Sequence, residues 1–66
     1  MKVGSFWNFE SVYIRIDEFV GDNQVRVTLV DGAITMVSIS TITKFSIECS
    51  EDDFKKARIR KALKRG

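Results

Sequence analysis

Two stretches of this chain place an apolar residue at every second position, and that period decides the fold class. Val12, Ile14 and Ile16 alternate with Tyr13, Arg15 and Asp17, and Val25, Val27 and Leu29 alternate with Arg26 and Thr28. Successive side chains on a strand point to opposite faces, so each run has one apolar face and one polar face, the pattern of a half-buried β-strand. Gly21-Asp22-Asn23 lies between the runs and reads as a turn, because Gly and Asn take positive φ at little cost. Asp31-Gly32 follows the second run and predicts a tight type I′ hairpin. A third β-rich run covers residues 33–39.

Beyond that run the parity slips. Val37 and Ile39 share one face, but the next apolar residue is Ile42, and Phe45 and Ile47 return to the odd positions. The slip predicts a bulge or a single 3₁₀ turn at Ser40-Thr41-Ile42-Thr43, then a short last strand over residues 44–48. The opening, Val3 to Phe9, is apolar without clean alternation and reads as a short strand or extended arm. Five short strands in 66 residues make one domain, and a sheet of that size is expected to curl into a small barrel that hides its edges. The predicted barrel spans residues 1–49. Ile34 and Met36 fall on the face opposite Val37, so the third run is apolar on both faces. Such a strand is either central to a closed barrel or half of a homo-oligomer interface.

Charge divides the chain near Ser50. Residues 1–50 carry four basic and six acidic side chains, a net of −2, whereas residues 51–66 carry seven basic and three acidic, a net of +4. The second segment, residues 50–66, predicts a basic helix. Ser50 is a good N-cap and Asp53 the carboxylate partner of a capping box. Glu51, Asp52 and Asp53 sit where the helix dipole favours negative charge, and Lys61, Lys64 and Arg65 where it favours positive charge. On a helical wheel Ile59, Ala62 and Leu63 form an apolar arc expected to hold the helix on the barrel or on a partner, with Phe54 away from it. Lys56, Arg60 and Lys64 form one cationic column, and Arg58, Lys61 and Arg65 a second.

The same composition narrows the chemistry. There is no His, which removes His-based general-base and triad catalysis. A single Cys makes no internal disulfide and, without His, no ordinary zinc site. Cys49 is surrounded by Glu48, Glu51, Asp52 and Asp53, whose charge disfavours the thiolate that a nucleophile needs. Glu51-Asp52-Asp53 lacks the spacing of a calcium loop, and Asp17 and Glu18, adjacent on a strand, are expected on opposite faces and form no acid–base pair. No enzyme, cofactor or metal is expected. No apolar run is long enough to span a bilayer or to act as a signal peptide, and a cytoplasmic, reducing setting is expected.

A binding module remains, and the cations indicate where it binds. Lys55, Lys56, Arg58, Arg60, Lys61, Lys64 and Arg65 repel one another at helical spacing, with no acidic residue after Asp53 to relieve them. One reading is a solvated face that keeps a small protein soluble. The sharper one is a patch for a polyanion, foremost the phosphates of DNA or RNA, since Lys and Arg there release counterions. Four to six contacts on a duplex would give a salt slope of roughly −4 to −5. A membrane is not expected, because the apolar arc is too small to anchor a surface helix. Tyr13 with Arg15 is a possible additional contact, or a cross-strand pair on the outer face. Trp7 with Phe6 and Phe9 reads either as a plug of the core or as a stacking platform for bases.

The run Val25-Arg-Val-Thr-Leu-Val-Asp-Gly32, then Val37-Ser-Ile39, then Ile42-Thr-Lys-Phe45 resembles the strand–Asp-Gly–strand–3₁₀–strand run of SH3-like small barrels of the Tudor and KOW sort. Gly4 and Trp7 followed by Val12, Ile14 and Ile16 resemble the opening of short SH3-like proteins encoded by phages and plasmids. The resemblance covers residues 4–47 and implies a five-stranded barrel with a non-enzymatic role in binding nucleic acid or protein. No Tudor-type aromatic cage can be placed on these residues. The expectation is therefore a mainly β chain, an SH3-like barrel plus one basic C-terminal helix, that acts as a nucleic-acid-binding accessory or regulatory protein. The alternative is a protein–protein interaction module, a phage or plasmid factor docking on a host protein.

Overall fold

The computed structural model describes residues 1–64, with side-chain surroundings for residues 1–61. The chain is mainly β: β1 (Phe6–Phe9), β2 (Val12–Val20), β3 (Gln24–Leu29), β4 (Ile34–Ser38), α1 (Ile39–Phe45), β5 (Ser46–Cys49) and α2 (Glu51–Lys64). The five strands form one antiparallel sheet in the order β4-β3-β2-β1-β5. The alternating runs are β2 and β3, and they lie side by side near its centre.

Register assigns the faces. Trp7, Ile14 and Leu29 are cross-strand partners and share one face with Ile16, Val25 and Val27. Ile14, Ile16, Val25, Val27 and Ile42 are buried together as the core, with Trp7, Leu29, Val37 and Ile39 packed against them. Phe6, Arg15, Thr28 and Ile34 are partners across the same strands and share the opposite, outer face. Val12 belongs to the core parity but is exposed, because β2 begins there at the sheet's end.

Several expectations are corrected. The sheet is open, with β4 and β5 as edges, and is not a closed barrel. The chain between those edges forms α1, and its fully buried Ile42 covers the core face that a β4–β5 pairing would otherwise have to seal. β4 is accordingly an edge strand, not a central one. There are also two helices rather than one. The parity slip marks α1 instead of a bulge or 3₁₀ turn: Ser38 caps it, accepting from the Thr41 N–H at 3.1 Å, and Ile39 and Ile42, three apart, face the core. That spacing and cap outweigh the β-branched composition, which favours a strand. The last strand starts at Ser46 in consequence.

The turns differ from the sequence reading as well. Leu29 accepts from the Gly32 N–H at 3.0 Å and its own N–H donates to the Ala33 carbonyl at 2.8 Å, enclosing the three-residue loop Val30-Asp31-Gly32. Gly32 has φ +90°, whereas Asp31 is not at positive φ, so this is a three-residue hairpin ending in a left-handed Gly and not a type I′ turn. The two-residue turn with both central residues at positive φ is Glu10-Ser11, at 47° and 73°, between the paired Phe9 and Val12. Neither residue signals such a turn. The Asn8 Oδ1 that accepts from the Ser11 N–H at 3.0 Å supplies a local tie instead.

Candidate nucleic-acid interface

One residue, Ser50, separates β5 from α2, and this short link decides where the helix lies. Cys49 pairs with Phe6 on the outer face, so the first turn of α2 emerges beside Phe6. The predicted capping box forms there. The Asp53 N–H donates to Ser50 Oγ at 3.2 Å, and the Ser50 N–H and hydroxyl donate to Asp53 Oδ2 at 3.1 and 3.0 Å. These Ser50 donors, with Lys56 nearby, hold the Asp53 carboxyl below its ordinary range.

Phe54, not Ile59, docks the helix. Its ring sits 5.0 Å from that of Phe6, tilted by 48°, and it is 6% exposed, whereas Ile59 is 61% exposed. This corrects the expectation that Ile59 holds the helix on the sheet. The link places Phe54 over the sheet before the helix can turn Ile59 inward, and an aromatic side chain buries more area there. The side chains of Ala62 and Leu63, the other members of that arc, lie outside the described residues, as do the Lys64 side chain and Arg65.

Phe54, Ala57, Arg58 and Lys61, at i, i+3, i+4 and i+7, form the face that α2 turns toward the sheet. Two surface clefts mark the seam. One, of about 240 Å³, lies between the Glu10-Ser11 turn and the helix, bounded by Ser11, Tyr13, Val30, Ala57, Arg60 and Lys61. The other, of about 180 Å³, is bounded by Arg15, Thr28, Val30, Phe54 and Arg58. The seam thus brings Tyr13 and Arg15 together with Arg58, Arg60 and Lys61. Lys55 and Lys56 are not part of it. Among the missed residues, Ser11, Val30 and Ala57 carry no chemical signal in the sequence, whereas Phe54 at heptad spacing from Lys61 was legible as the start of a stripe.

Ion pairing separates the sheet's cations from the helix's. Arg15 donates to Asp17 at 2.9 Å, and Arg26 is paired with Glu18. Burial raises the Asp17 carboxyl, but the Thr28 hydroxyl and the guanidinium groups of Arg15 and Arg26 outweigh it and hold the carboxyl below its ordinary range. A register shift between Ile16 and Glu18 turns both carboxylates to the outer face, each beside its own arginine, where the simple alternation expects opposite faces. On the helix, Lys55 lies 3.6 Å from Glu51, and Lys61 lies 3.6 Å from Asp31. The Ala33 N–H and then Lys61 hold the Asp31 carboxyl below its ordinary range. Lys56, Arg58 and Arg60 have no carboxylate within 4.0 Å among the described residues.

The other candidates fall into structural places. Trp7 lies on the core face, its indole N–H donating to Ser5 Oγ at 3.0 Å, and Phe6 is taken up by Phe54, so neither forms an open platform. Burial, then the carboxylates of Asp53 and Glu48, push the Cys49 thiol up, away from the thiolate. Among the described residues no three Asp, Glu or Cys side chains are grouped to hold a metal, and no helix is long and apolar enough to cross a membrane. Neither a family model, nor a curated protein, nor a solved structure matches the chain.

Proposed function

We propose that the chain is a non-enzymatic nucleic-acid-binding protein of accessory or regulatory type, and that Lys56, Arg58 and Arg60 of α2 supply its central phosphate contacts. The observation that supports this is the division of ion pairs. Both arginines of the sheet are neutralised by neighbouring carboxylates, while the middle of the helix carries three cations with no carboxylate partner among the described residues. Lys56 has Asp52 and Asp53 within one turn of it, but Arg58 and Arg60 have no acidic residue four positions away on either side, where a helix selected only for stability would place glutamates. Tyr13 and Arg15 lie across the seam and extend the surface onto β2. Lys55, Lys61, Lys64 and Arg65 bring the positive charges of residues 51–66 to seven. The fold is proposed as an open relative of the SH3-like barrels. β5 beside β1 and a helical turn between β4 and β5 favour that reading.

The test is fluorescence anisotropy of a labelled duplex over a range of salt concentrations. Three phosphate contacts from Lys56, Arg58 and Arg60 give a slope of log affinity against log salt of about −2.7. The variant Lys56→Glu/Arg58→Glu/Arg60→Glu is expected to lose that slope and to keep its circular dichroism. Binding that survives the triple reversal with its salt slope intact refutes the assignment.

A second reading, a protein-interaction module, is favoured by the apolar residues that α2 leaves uncovered on the outer face. Ile34 and Met36 of β4 are 64% and 45% exposed, and Ile47 of β5 is 76% exposed. They sit on the two edge strands, where another chain can add a strand or an apolar anchor.

A further inference from the structure

The larger cleft combines an aromatic wall, a cationic rim and open space on its helix side. Its sheet wall carries the ring of Tyr13, its rim carries Arg60 and Lys61, and its helix wall is open because residue 57 is Ala. Of residues 51–61, Ala57 alone has a side chain of a single carbon, so any neighbour's side chain at this position would fill the space. Tyr13 is half-buried on β2, between the exposed Val12 and the buried Ile14, and that strand is anchored in the core. The ring is therefore held on a rigid element. The volume of about 240 Å³ falls below the roughly 300–1,000 Å³ of clefts that enclose whole drug-sized ligands, which suits one planar ring and its attached sugar edge.

We infer that this cleft receives one unpaired base of a single-stranded nucleic acid, stacked on Tyr13, while the adjoining phosphates lie on Arg60 and Lys61. The inference rests on the phosphate-binding reading above and adds the class of ligand. In a duplex both faces of a base are covered by its neighbours, so a ring inside a cleft is reached only by a base that has left the stack. An aromatic face is indifferent to base identity, so the site selects strandedness rather than sequence. Lys61 exchanges its Asp31 partner, now 3.6 Å away, for phosphate when the strand is seated.

The experiment compares a fluorescent oligothymidylate with a duplex hairpin of equal charge at low salt. The wild-type chain is expected to prefer the single strand. Tyr13→Ala is expected to weaken single-strand binding by between about 5-fold and about 150-fold, the effect of one stacked base, and to leave duplex binding unchanged. Tyr13→Phe is expected to bind as wild type does. Ala57→Gln closes the cleft from the helix side without touching the sheet, and is expected to reproduce the loss even if Tyr13→Ala does not fold. Equal affinity of the wild type for both probes, or equal losses on both in the variants, overturns the inference and leaves the phosphate contacts standing. Absence of binding to either probe overturns the proposed function with it.

Discussion

The sheet and α2 bury apolar surface by unequal means. The sheet encloses Ile14, Ile16, Val25 and Val27 under Ile42 of α1, with Trp7, Leu29, Val37 and Ile39 around them. Among the described residues α2 rests on the outer face through one buried side chain, Phe54, while Ile59 stays in solvent. Charge is distributed the other way. The sheet pairs Arg15 and Arg26 with carboxylates, and α2 leaves Lys56, Arg58 and Arg60 without them among the described residues. Cohesion and unneutralised charge therefore occupy different parts of the molecule. An element held by few apolar contacts opens at lower free-energy cost than the core, and such elements are where adaptable binding surfaces are found.

The comparison is broken most severely from the sheet side. Ile16 is fully buried at its centre, and Ile16→Ala is expected to cost about 4 kcal/mol. For a domain of this size that is most of its stability, so sheet and helix are expected to be lost together in a urea titration. Retention of a folded Trp7 emission spectrum in Ile16→Ala would show that the core lies elsewhere.

Phe54→Ala acts on the other partner. It is expected to cost about 3 kcal/mol, but locally. Helical ellipticity falls, because a lone helix of this length is marginal in water. Trp7 emission is expected to stay that of the folded sheet. Loss of both signals together would mean that α2 is integral to the core, and the contrast between the two regions would fail.

Acid gives the smallest and most selective effect. Asp17, Asp31 and Asp53 all have carboxyls held below their ordinary range. A depressed folded-state value means stability that is present above the unfolded value and lost as pH falls through the folded one. Stability is therefore expected to be level at neutral pH and to decline below about pH 4. Two of the three carboxylates, the Asp53 cap and the Asp31 partner of Lys61, hold α2, so ellipticity should fall before Trp7 emission changes. The reverse order would place the weaker region in the sheet.

Much of this architecture was legible in residue order. The alternation of Val12 to Asp17 and of Val25 to Leu29 predicts two strands, and both form. Ser50 and Asp53 predict a cap, and its hydrogen bonds are made. These features are local: period, turn chemistry and capping act within a few residues. The errors begin where a distant partner decides. The segment around Ile42 has strand-like composition, yet it is a helix, because Ile39 and Ile42 find the core face of a sheet built from residues far away in the chain. The Glu10-Ser11 turn has no turn-forming dipeptide, yet the pairing of Phe9 with Val12 on either side demands it.

The seam between α2 and β2 was not legible, although its residues were. Tyr13, Arg15, Arg58, Arg60 and Lys61 were each singled out by type, but type does not say that they line adjoining clefts. The charge division at Ser50 and the strand-forming period belong to the sequence by itself, because both follow from which residues are neighbours along the chain. The open sheet, the choice of Phe54 over Ile59 as the docking residue and the placing of Tyr13 opposite Arg60 belong to the tertiary structure alone. The open sheet depends on α1, whose Ile42 covers the core face between the two edges, and the other two depend on the direction in which the single-residue link at Ser50 delivers the helix, which is set by the pairing of Cys49 with Phe6 across the sheet.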